Sequence, residues 1–411
     1  MATFEHLPLE LVDSILDEFG SVPIDPVSRR TLLACSLVCK SFTHHARRVL
    51  LADIKLTSWT SLSQVSSLYS IFESATSLGN YIRHLHFKFD NGNVHTNHID
   101  LLFKALEDQS ILERLTIECW YNGHAPLLPM PFKIMGQSLC DSLLRFGEFS
   151  SLTELYLKSL AIPVTSLSHF RNLKTLSVDS CSFRRPLGAD ADGQLKVDVF
   201  AKLESLYIIR CIVALNELLV SEVTPGSSQR RFKKLKTLHC QFTASSDVRY
   251  IWDLLTKFGA GILLENLELV EVSDFHVFLP IQAESFDLGR FNRLRSLKLG
   301  SKMTNPGGNF TGSTIDELLL PPYSANPLWR HSKLNIDATI IQLNSLIHHW
   351  RVLDAHLSST VLHPSLRNAR FSLQFRPDTG IDGVLAVKEI EALLEPKLHF
   401  KAIDVTISVD E

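Results

Sequence analysis

The stretch LTELYLKSL, residues 152–160, has leucine at its first, fourth and sixth positions. The alternation at the end of this apolar-x-x-apolar-x-apolar pattern is typical of a strand with one buried face. The pattern recurs downstream as LKTLSV from Leu173 and LESLYI from Leu203. One such strand cannot bury its apolar face alone, so the recurrence predicts a stack of similar units.

The pattern begins at eight positions, and successive starts are 21 to 40 residues apart, mostly close to 30. A single match arises by chance in a leucine-rich chain, whereas eight at a near-constant period are typical of a leucine-rich-repeat solenoid. The eight copies begin at Ile82, Leu112, Leu152, Leu173, Leu203, Leu235, Leu264 and Leu294. Weaker copies begin at Leu51, Ile315, Leu366 and Phe400. The pattern does not place a repeat in the interval 321–365.

Helical segments lie between the strand motifs. HIDLLFKALEDQS (98–110) and SSDVRYIWDLLTKF (245–258) repeat apolar residues at helical spacing. In the second we expect Ser246 or Asp247 as the N-cap. Its inward-facing residues are predicted to be Val248, Ile251, Trp252 and Leu255. Inserts rich in helix and strand breakers, such as GHAPLLPMPF (123–132), are predicted to be loops. The prediction is an α/β chain with parallel strands and helical crossovers, in which residues 51–411 form an irregular solenoid.

Residues 1–50 are predicted to be a separate helical unit. Pro8 suits the first turn of a helix, Leu11, Ile15 and Phe19 follow at helical spacing, and Gly20 ends the pattern. After a turn over 22–27, helical periodicity resumes over residues 31–51. The apolar stripes exceed what two or three short helices can bury against one another. Either the rest of the chain or a partner protein is expected to cover the surplus.

This helical unit resembles an F-box. The resemblance rests on Leu7-Pro8-x-Glu10-Leu11, on Ile15-Leu16 and on CSLVCKSF (35–42). An F-box followed by degenerate leucine-rich repeats looks like the large F-box families of mushroom-forming fungi. The resemblance implies a three-helix unit that docks to the Skp-type adaptor of an SCF-type cullin–RING ubiquitin ligase. The implied docking residues are Leu7, Pro8, Leu11, Ile15, Leu37 and Val38.

If the resemblance holds, the repeats bind the protein target. By strand alternation, the third, fifth, seventh and eighth places of the repeats from Leu152 onward are predicted to face a concave surface, which would include Phe242. The predicted target-binding residues are Tyr156, Lys158, Tyr207, Arg210, His239 and Gln241, with emphasis on the group Tyr156, Tyr207 and His239. Taken one at a time, these side chains are equally compatible with an ordinary solvated strand surface.

The composition favours neither a nucleic-acid partner nor an anionic membrane, since the net charge is −3 and charged residues make up 21 % of the chain. The chain contains none of the G-x-G-x-x-G, P-loop, G-x-S-x-G or HExxH motifs, so we expect no cofactor, no metal and no catalysis. Cys181 and Cys211 each follow the last apolar strand position by three residues and are predicted to occupy a buried turn.

Two functions from different classes remain open. The first is a substrate receptor in ubiquitin-dependent protein degradation, in the cytoplasm, the nucleus or both, as expected from the absence of a signal sequence and from seven cysteines, an odd number. The second is a repeat-based interaction scaffold or inhibitor unconnected to ubiquitin. In that case residues 7–50 would cap the solenoid.

Overall fold

The chain is an α/β protein with parallel strands, seen here in a computed structural model. The structure describes residues 10–11, 14, 25–38, 40–57, 66–70, 76–90, 106, 111–120, 129–131, 137–148, 151–184, 199–221, 231–242, 245–273, 291, 293–294, 296–303, 333–340, 368–375 and 403–409. The chain divides into two compact units. Unit 1 comprises Met1–Leu176 and Ser180–Val199, and unit 2 comprises Ser177–Asp179 and Phe200–Glu411.

Unit 1 contains a sheet of parallel strands that are adjacent in chain order. Its strands are β1 Asp53–Thr57, β2 His84–Asp90, β3 Arg114–Trp120 and β5 Glu154–Lys158. The short strand β4 Met130–Pro131 lies between β3 and β5 in the sequence but not in this sheet. A second, small sheet joins β4, β6 Leu160–Pro163 and β8 Ser182–Arg184. Its helices include α1 Pro26–Cys35, α2 Lys40–Ala52, α3 Gln137–Glu148 and the single turn α4 Val164–Leu167, with a 3-10 helix over Thr76–Tyr81.

Unit 2 likewise contains a sheet of parallel strands that are adjacent in chain order. Its strands are β7 Thr175–Asp179, of which the last three residues belong to this unit, β9 Ser205–Ile209, β10 Thr237–Phe242, β11 Asn266–Ser273, β12 Ser296–Met303, β13 Lys333–Ile340, β14 Asn368–Phe375 and β15 Ile403–Val409. Consecutive strands from β9 to β15 pair in parallel. The helices are α5 Ile212–Ser221 and α6 Ser245–Thr256, with a 3-10 helix over Val199–Lys202.

The repeat pattern marks the strands. Each of the eight motifs starts two residues before a strand, and the first apolar residue of every motif is buried, from Leu203 at 0 % exposure to Leu294 at 4 %. The predicted α/β class with parallel strands and helical crossovers is confirmed. The weaker copies from Leu51, Leu366 and Phe400 lead into β1, β14 and β15, and the copy from Ile315 lies outside the described residues. Strand β13 occupies the interval in which the sequence placed no repeat.

Backbone hydrogen bonds set the register at the start of the strands. The carbonyl oxygen of Arg83 accepts from the N–H groups of both Glu113 and Arg114. The carbonyl oxygen of Glu113 does the same for the N–H groups of Thr153 and Glu154. In unit 2 the carbonyl oxygens of Glu204 and Lys236 each accept two consecutive backbone N–H groups in the same way. Because each carbonyl serves two donors, each strand begins in step with its neighbour.

The ends of the strands take two forms. Ser159, Ser180 and Arg210, each at the eighth place of its repeat, have positive φ values of 58°, 51° and 55°. The left-handed turn lets the next residue point inward. Cys181 and Cys211 accordingly lie buried, and their S–H groups donate to the carbonyl oxygens of Leu157 and Val178 at 3.4 and 3.3 Å. The prediction of a buried turn position for both cysteines is confirmed.

In β2, β3 and β10 the strand instead continues through the eighth place. Strand alternation then puts the eighth place on the same face as the fourth and sixth. Phe89, Cys119 and Phe242 are consequently buried at 0, 0 and 1 % exposure. The prediction that Phe242 faces a binding surface is wrong for this reason.

Several helix boundaries differ from the predictions. Helix α6 begins at Ser245, so Ser246 and Asp247 lie inside its first turn and neither is the N-cap. Helix α1 begins at Pro26, inside the predicted turn over 22–27, because the Asp25 carboxylate accepts the N–H groups of Val27 and Ser28. A turn over 36–38 divides the helical pattern of residues 31–51 into α1 and α2.

Other segment predictions have mixed outcomes. Ile251 and Leu255 of α6 are buried as predicted. Apart from the buried Leu106, the helix predicted over 98–110 lies outside the described residues. Strand β4 falls within an insert that was predicted to be a loop, so that prediction is wrong at Met130–Pro131. Helix α2 ends two residues beyond the predicted domain boundary at residue 50, which stays a prediction.

A glycine after α6 provides a first stability prediction. A Cβ atom on Gly261 would lie 2.2 Å from Cε1 of the buried Phe291 and 3.0 Å from the carbonyl oxygen of Leu255. We expect Gly261→Ala to lower the free energy of unfolding by about 1–3 kcal/mol, the usual cost of overpacking. Urea denaturation followed by circular dichroism measures this loss. The neighbouring Ile262 is 48 % exposed, so Ile262→Ala should cost less than about 0.5 kcal/mol; equal losses in both variants would contradict the argument.

Candidate functional site

The surface side chains of unit 1 form rows across its strands, because parallel pairing places equivalent positions side by side. In β2, β3 and β5 the fourth and sixth places are buried, so the third, fifth and seventh lie on the other face. The row of third places contains Asp53, His84, Arg114 and Glu154. The row of fifth places contains Lys55, His86, Thr116 and Tyr156. The row of seventh places contains Thr57, Lys88, Glu118 and Lys158.

Glu118 is the centre of one group on this face. Its side chain is only 12 % exposed, and its Oε1 accepts from Nζ of Lys158 at 2.8 Å, while Nε2 of His86 lies 3.4 Å from its Oε2. Burial alone would raise the pKa of Glu118, but the nearby His86 ring, the hydrogen bond from Lys158 and the charge of Lys158 outweigh it and lower the pKa to about 2. The carboxylate is therefore ionised at neutral and mildly acidic pH, and it holds Lys158 in place.

Trp120, half-buried at the end of β3, contacts two lysines. The Nζ atom of Lys88 lies 3.4 Å from the centre of the indole ring, and that of Lys158 lies 5.8 Å from it. Each such cation–π contact contributes about 0.5–1 kcal/mol at exposed sites. Two ammonium groups are thus positioned around one aromatic ring.

Tyr156 belongs to a second group on the same face. Arg114 donates from Nε to Oε2 of Glu154, and the Tyr156 hydroxyl donates to the same oxygen at 3.3 Å. The Arg114 guanidinium also lies 5.5 Å from the centre of the Tyr156 ring. The hydrogen bond to Glu154 raises the pKa of Arg114. Burial, together with the Arg114 charge, lowers the pKa of His84 below its ordinary value.

In unit 2 the structure brings together Tyr207 and His239. Their ring centres are 5.9 Å apart at an interplanar angle of 36°, and Nδ1 of His239 lies 2.9 Å from Oε2 of Glu268. The strand register accounts for this row, since Tyr207 pairs with His239 and His239 with Glu268. The predicted group of Tyr156, Tyr207 and His239 therefore divides between the two units, with Tyr156 next to Arg114 and Glu154.

The remaining predicted target-binding residues have surface positions. Lys158 is 37 % exposed in its ion pair with Glu118. Arg210 is 45 % exposed, and its Nη2 donates to Oδ1 of Asp179 at 2.8 Å. Gln241 is half-buried, and its carbonyl oxygen accepts the N–H of Arg210. All are accessible enough to contact a partner.

The predicted adaptor-docking residues fall into two sets. Leu11, Leu37 and Val38 are exposed, at 51, 87 and 58 %. Leu7, Pro8 and Ile15 lie outside the described residues. The sequence prediction left Leu33 out of the docking set, although it is 51 % exposed and lies four residues before Leu37.

The sequence prediction also left out five residues of unit 1 that take part in these contacts. These are His86, Lys88, Arg114, Glu118 and Trp120. All except Trp120 occupy the third, fifth or seventh places of the repeats that begin at Ile82 and Leu112. Applying the alternation rule to every repeat, rather than from Leu152 onward, would have found those four.

No protein-family model matches the chain, and no curated protein matches it. Within the described ranges, no helix has the length and apolar character needed to cross a bilayer. In the part of the chain that the structure describes, no group of three or more His, Cys, Asp or Glu side chains is placed to hold a metal ion.

Proposed function

We propose that this protein is a non-catalytic substrate receptor of an SCF-type cullin–RING ubiquitin ligase. Residues 1–50 are then an F-box that docks to a Skp-type adaptor, and residues 51–411 are a degenerate leucine-rich-repeat solenoid that binds a protein target in the cytoplasm or nucleus. The observation that carries the proposal is a set of exposed apolar side chains at residues 33–38, inside the sequence that resembles an F-box.

This set does not belong to the core of the helical segment. The core consists of Leu32, Phe42 and Ala46, with Cys35, Val49 and Leu50 packed against it. Leu33, Leu37 and Val38 are left 51, 87 and 58 % exposed at the end of α1 and in the turn before α2. Burying one such side chain is worth about 1.5–3 kcal/mol, so a partner surface that covers all three gains a substantial binding free energy.

The repeats support the second half of the proposal. Their parallel strands present polar and aromatic side chains in rows, including Tyr156, Lys158, Tyr207 and His239. Tyrosine is enriched among the residues that dominate protein interfaces. The receptor does no bond chemistry; it raises the effective concentration of target lysines near a ubiquitin-charged enzyme.

Adaptor binding tests the proposal directly. We expect the purified chain to bind a Skp-type adaptor in isothermal titration calorimetry, and Leu37→Glu to weaken the binding at least about thirtyfold, as expected for a hot-spot residue. Leu37 is the most exposed of the three side chains, so this substitution should change the stability by less than about 0.5 kcal/mol. Circular dichroism checks that the variant is folded.

The matched control is Ile262→Glu, since Ile262 is an exposed aliphatic side chain of unit 2. This variant should bind the adaptor like the original chain. If the original chain does not bind the adaptor at all, the receptor proposal fails, and the repeat-based scaffold or inhibitor becomes the better description.

A further inference from the structure

The rows of unit 1 differ in charge. The fifth and seventh places together carry three lysines, Lys55, Lys88 and Lys158, against the single carboxylate of Glu118. The third places carry two carboxylates and one arginine. Within these three rows the net positive charge therefore lies in the fifth and seventh places, and Asp90 follows at the ninth place of its repeat, at the end of β2, next to Trp120 in the register. We call the group of Lys55, His86, Lys88, Trp120, Tyr156 and Lys158 the basic patch.

Two of these lysines are already held in position. Lys158 is anchored 2.8 Å from Glu118, and Lys88 lies 3.4 Å from the centre of the Trp120 ring. Binding a partner then costs less side-chain entropy than it would with two mobile lysines. Because both ammonium groups approach the same indole, they repel one another, and an anionic group placed between them is attracted by both.

The other charges on this face restrict the kind of anion. The fork of an arginine matches carboxylates and phosphates alike, whereas a lysine acts as a point charge that attracts either anion. Arg114 lies in the row of third places and is paired with Glu154. Asp53, Glu118 and Glu154 on the same face repel a closely spaced phosphate backbone, and the whole chain is acidic, at −3. Separately spaced anions, such as the carboxylates of a peptide, therefore fit this surface better than a nucleic acid does.

We propose that the basic patch of unit 1 binds an acidic peptide segment of a partner protein, in which Asp or Glu carboxylates contact Lys55, Lys88 and Lys158. If the protein is a substrate receptor, the acidic segment belongs to its target, and in that respect the basic-patch proposal rests on the receptor proposal. The binding itself needs no adaptor and is measured on the full chain alone.

Fluorescence anisotropy of dye-labelled synthetic peptides tests the proposal. The probe is a short Glu-Ser-Gly repeat. In the first comparison peptide every Glu is replaced with Gln. In the second, every Glu is replaced with Gln and the serines are phosphorylated. We expect the Glu peptide to bind, the Gln peptide not to bind, and added salt to weaken the Glu complex. The double variant Lys55→Gln, Lys88→Gln should bind it about tenfold more weakly, because two surface ion pairs are lost. This variant leaves the Lys158–Glu118 pair intact but removes the contact of Lys88 with Trp120, so circular dichroism checks that it is folded.

The control is Lys257→Gln, which removes the lysine directly after α6 that pairs with Asp253 at 2.9 Å in unit 2. Unchanged binding in this control and weaker binding in the double variant support the proposal. Equal binding by the original chain and the double variant overturns it, as does a chain that does not bind the Glu peptide. A dye-labelled single-stranded oligonucleotide is measured as a further probe. Preferential binding of the phosphoserine peptide or of the oligonucleotide overturns the acidic-peptide proposal in favour of that ligand.

The outcomes separate the two proposals. A chain that binds the adaptor but not the Glu peptide overturns only the basic-patch proposal. A chain that binds the Glu peptide through the lysines but not the adaptor overturns only the receptor function.

Discussion

Replacing Phe242 with alanine should lower the free energy of unfolding by about 3–5 kcal/mol, the usual cost of removing a buried phenylalanine ring. Phe242 ends β10 and is 1 % exposed, because the strand continues through the eighth place and turns that side chain toward the core. If the eighth place of the repeat faced the surface, as the sequence predicted, the same substitution would change the free energy of unfolding only slightly. Chemical denaturation followed by circular dichroism distinguishes the two expectations.

The neighbouring residue is the matched control. Gln241 precedes Phe242 in the same strand and is half-buried on the other face, so Gln241→Ala should change the stability by no more than about 0.5 kcal/mol. A loss below about 1 kcal/mol for Phe242→Ala would mean that this ring is not part of the core. Such a result would also remove the explanation given for the buried Phe89 and Cys119.

The stabilising contribution of Glu118 should be lost in acid. Its pKa of about 2 lies below the ordinary value of 4.5, so the folded state favours the ionised carboxylate. The resulting stabilisation is fully present above pH 4.5 and is lost as the pH falls toward 2, because the carboxylate then binds a proton and its ion pair with Lys158 disappears. The contribution is about 3 kcal/mol, since the pKa lies about 2.5 below its ordinary value and one pKa unit corresponds to about 1.4 kcal/mol.

The measurement is the free energy of unfolding in urea at pH 6 and at pH 3, for the original chain and for Glu118→Gln. Other carboxylates titrate in this range, so the quantity of interest is the difference between the two proteins. We expect the variant to be less stable at pH 6 and to approach the original chain at pH 3. Glu204→Gln is the control, because Glu204 and its partner Lys236 are 38 and 51 % exposed and should contribute little. A constant difference between Glu118→Gln and the original chain at both pH values would contradict the prediction.

The strand positions were predictable because their signal is local. Each motif contains its own alternation of apolar and polar residues, and Leu152, Leu155 and Leu157 are all buried as that alternation requires. Parallel pairing was also predictable, since a period near 30 residues leaves room for a crossover but is too long for a hairpin. The buried turn at Cys181 and Cys211 followed from the same counting.

Strand β13 was not predicted because its motif is degenerate. His331 stands where the pattern requires an apolar residue, although Leu334 and Ile336 still alternate within the strand. Pairing with β12 on one side and β14 on the other defines its position. The small sheet of β4, β6 and β8 was missed for a related reason, since strands as short as Met130–Pro131 contain no periodicity.

The sequence by itself determined where the strands of the eight repeats lie, that their fourth and sixth places alternate with surface positions, and that neighbouring strands are parallel. Only the tertiary structure decided that Glu118 contacts His86 and Lys158, or that Tyr207 lies next to His239 while Tyr156 lies next to Arg114 and Glu154. The physical reason is range. Burial along a strand depends on alternation over a few residues, whereas these contacts join side chains about 30 to 40 residues apart, and they form only when crossovers and register place the strands side by side.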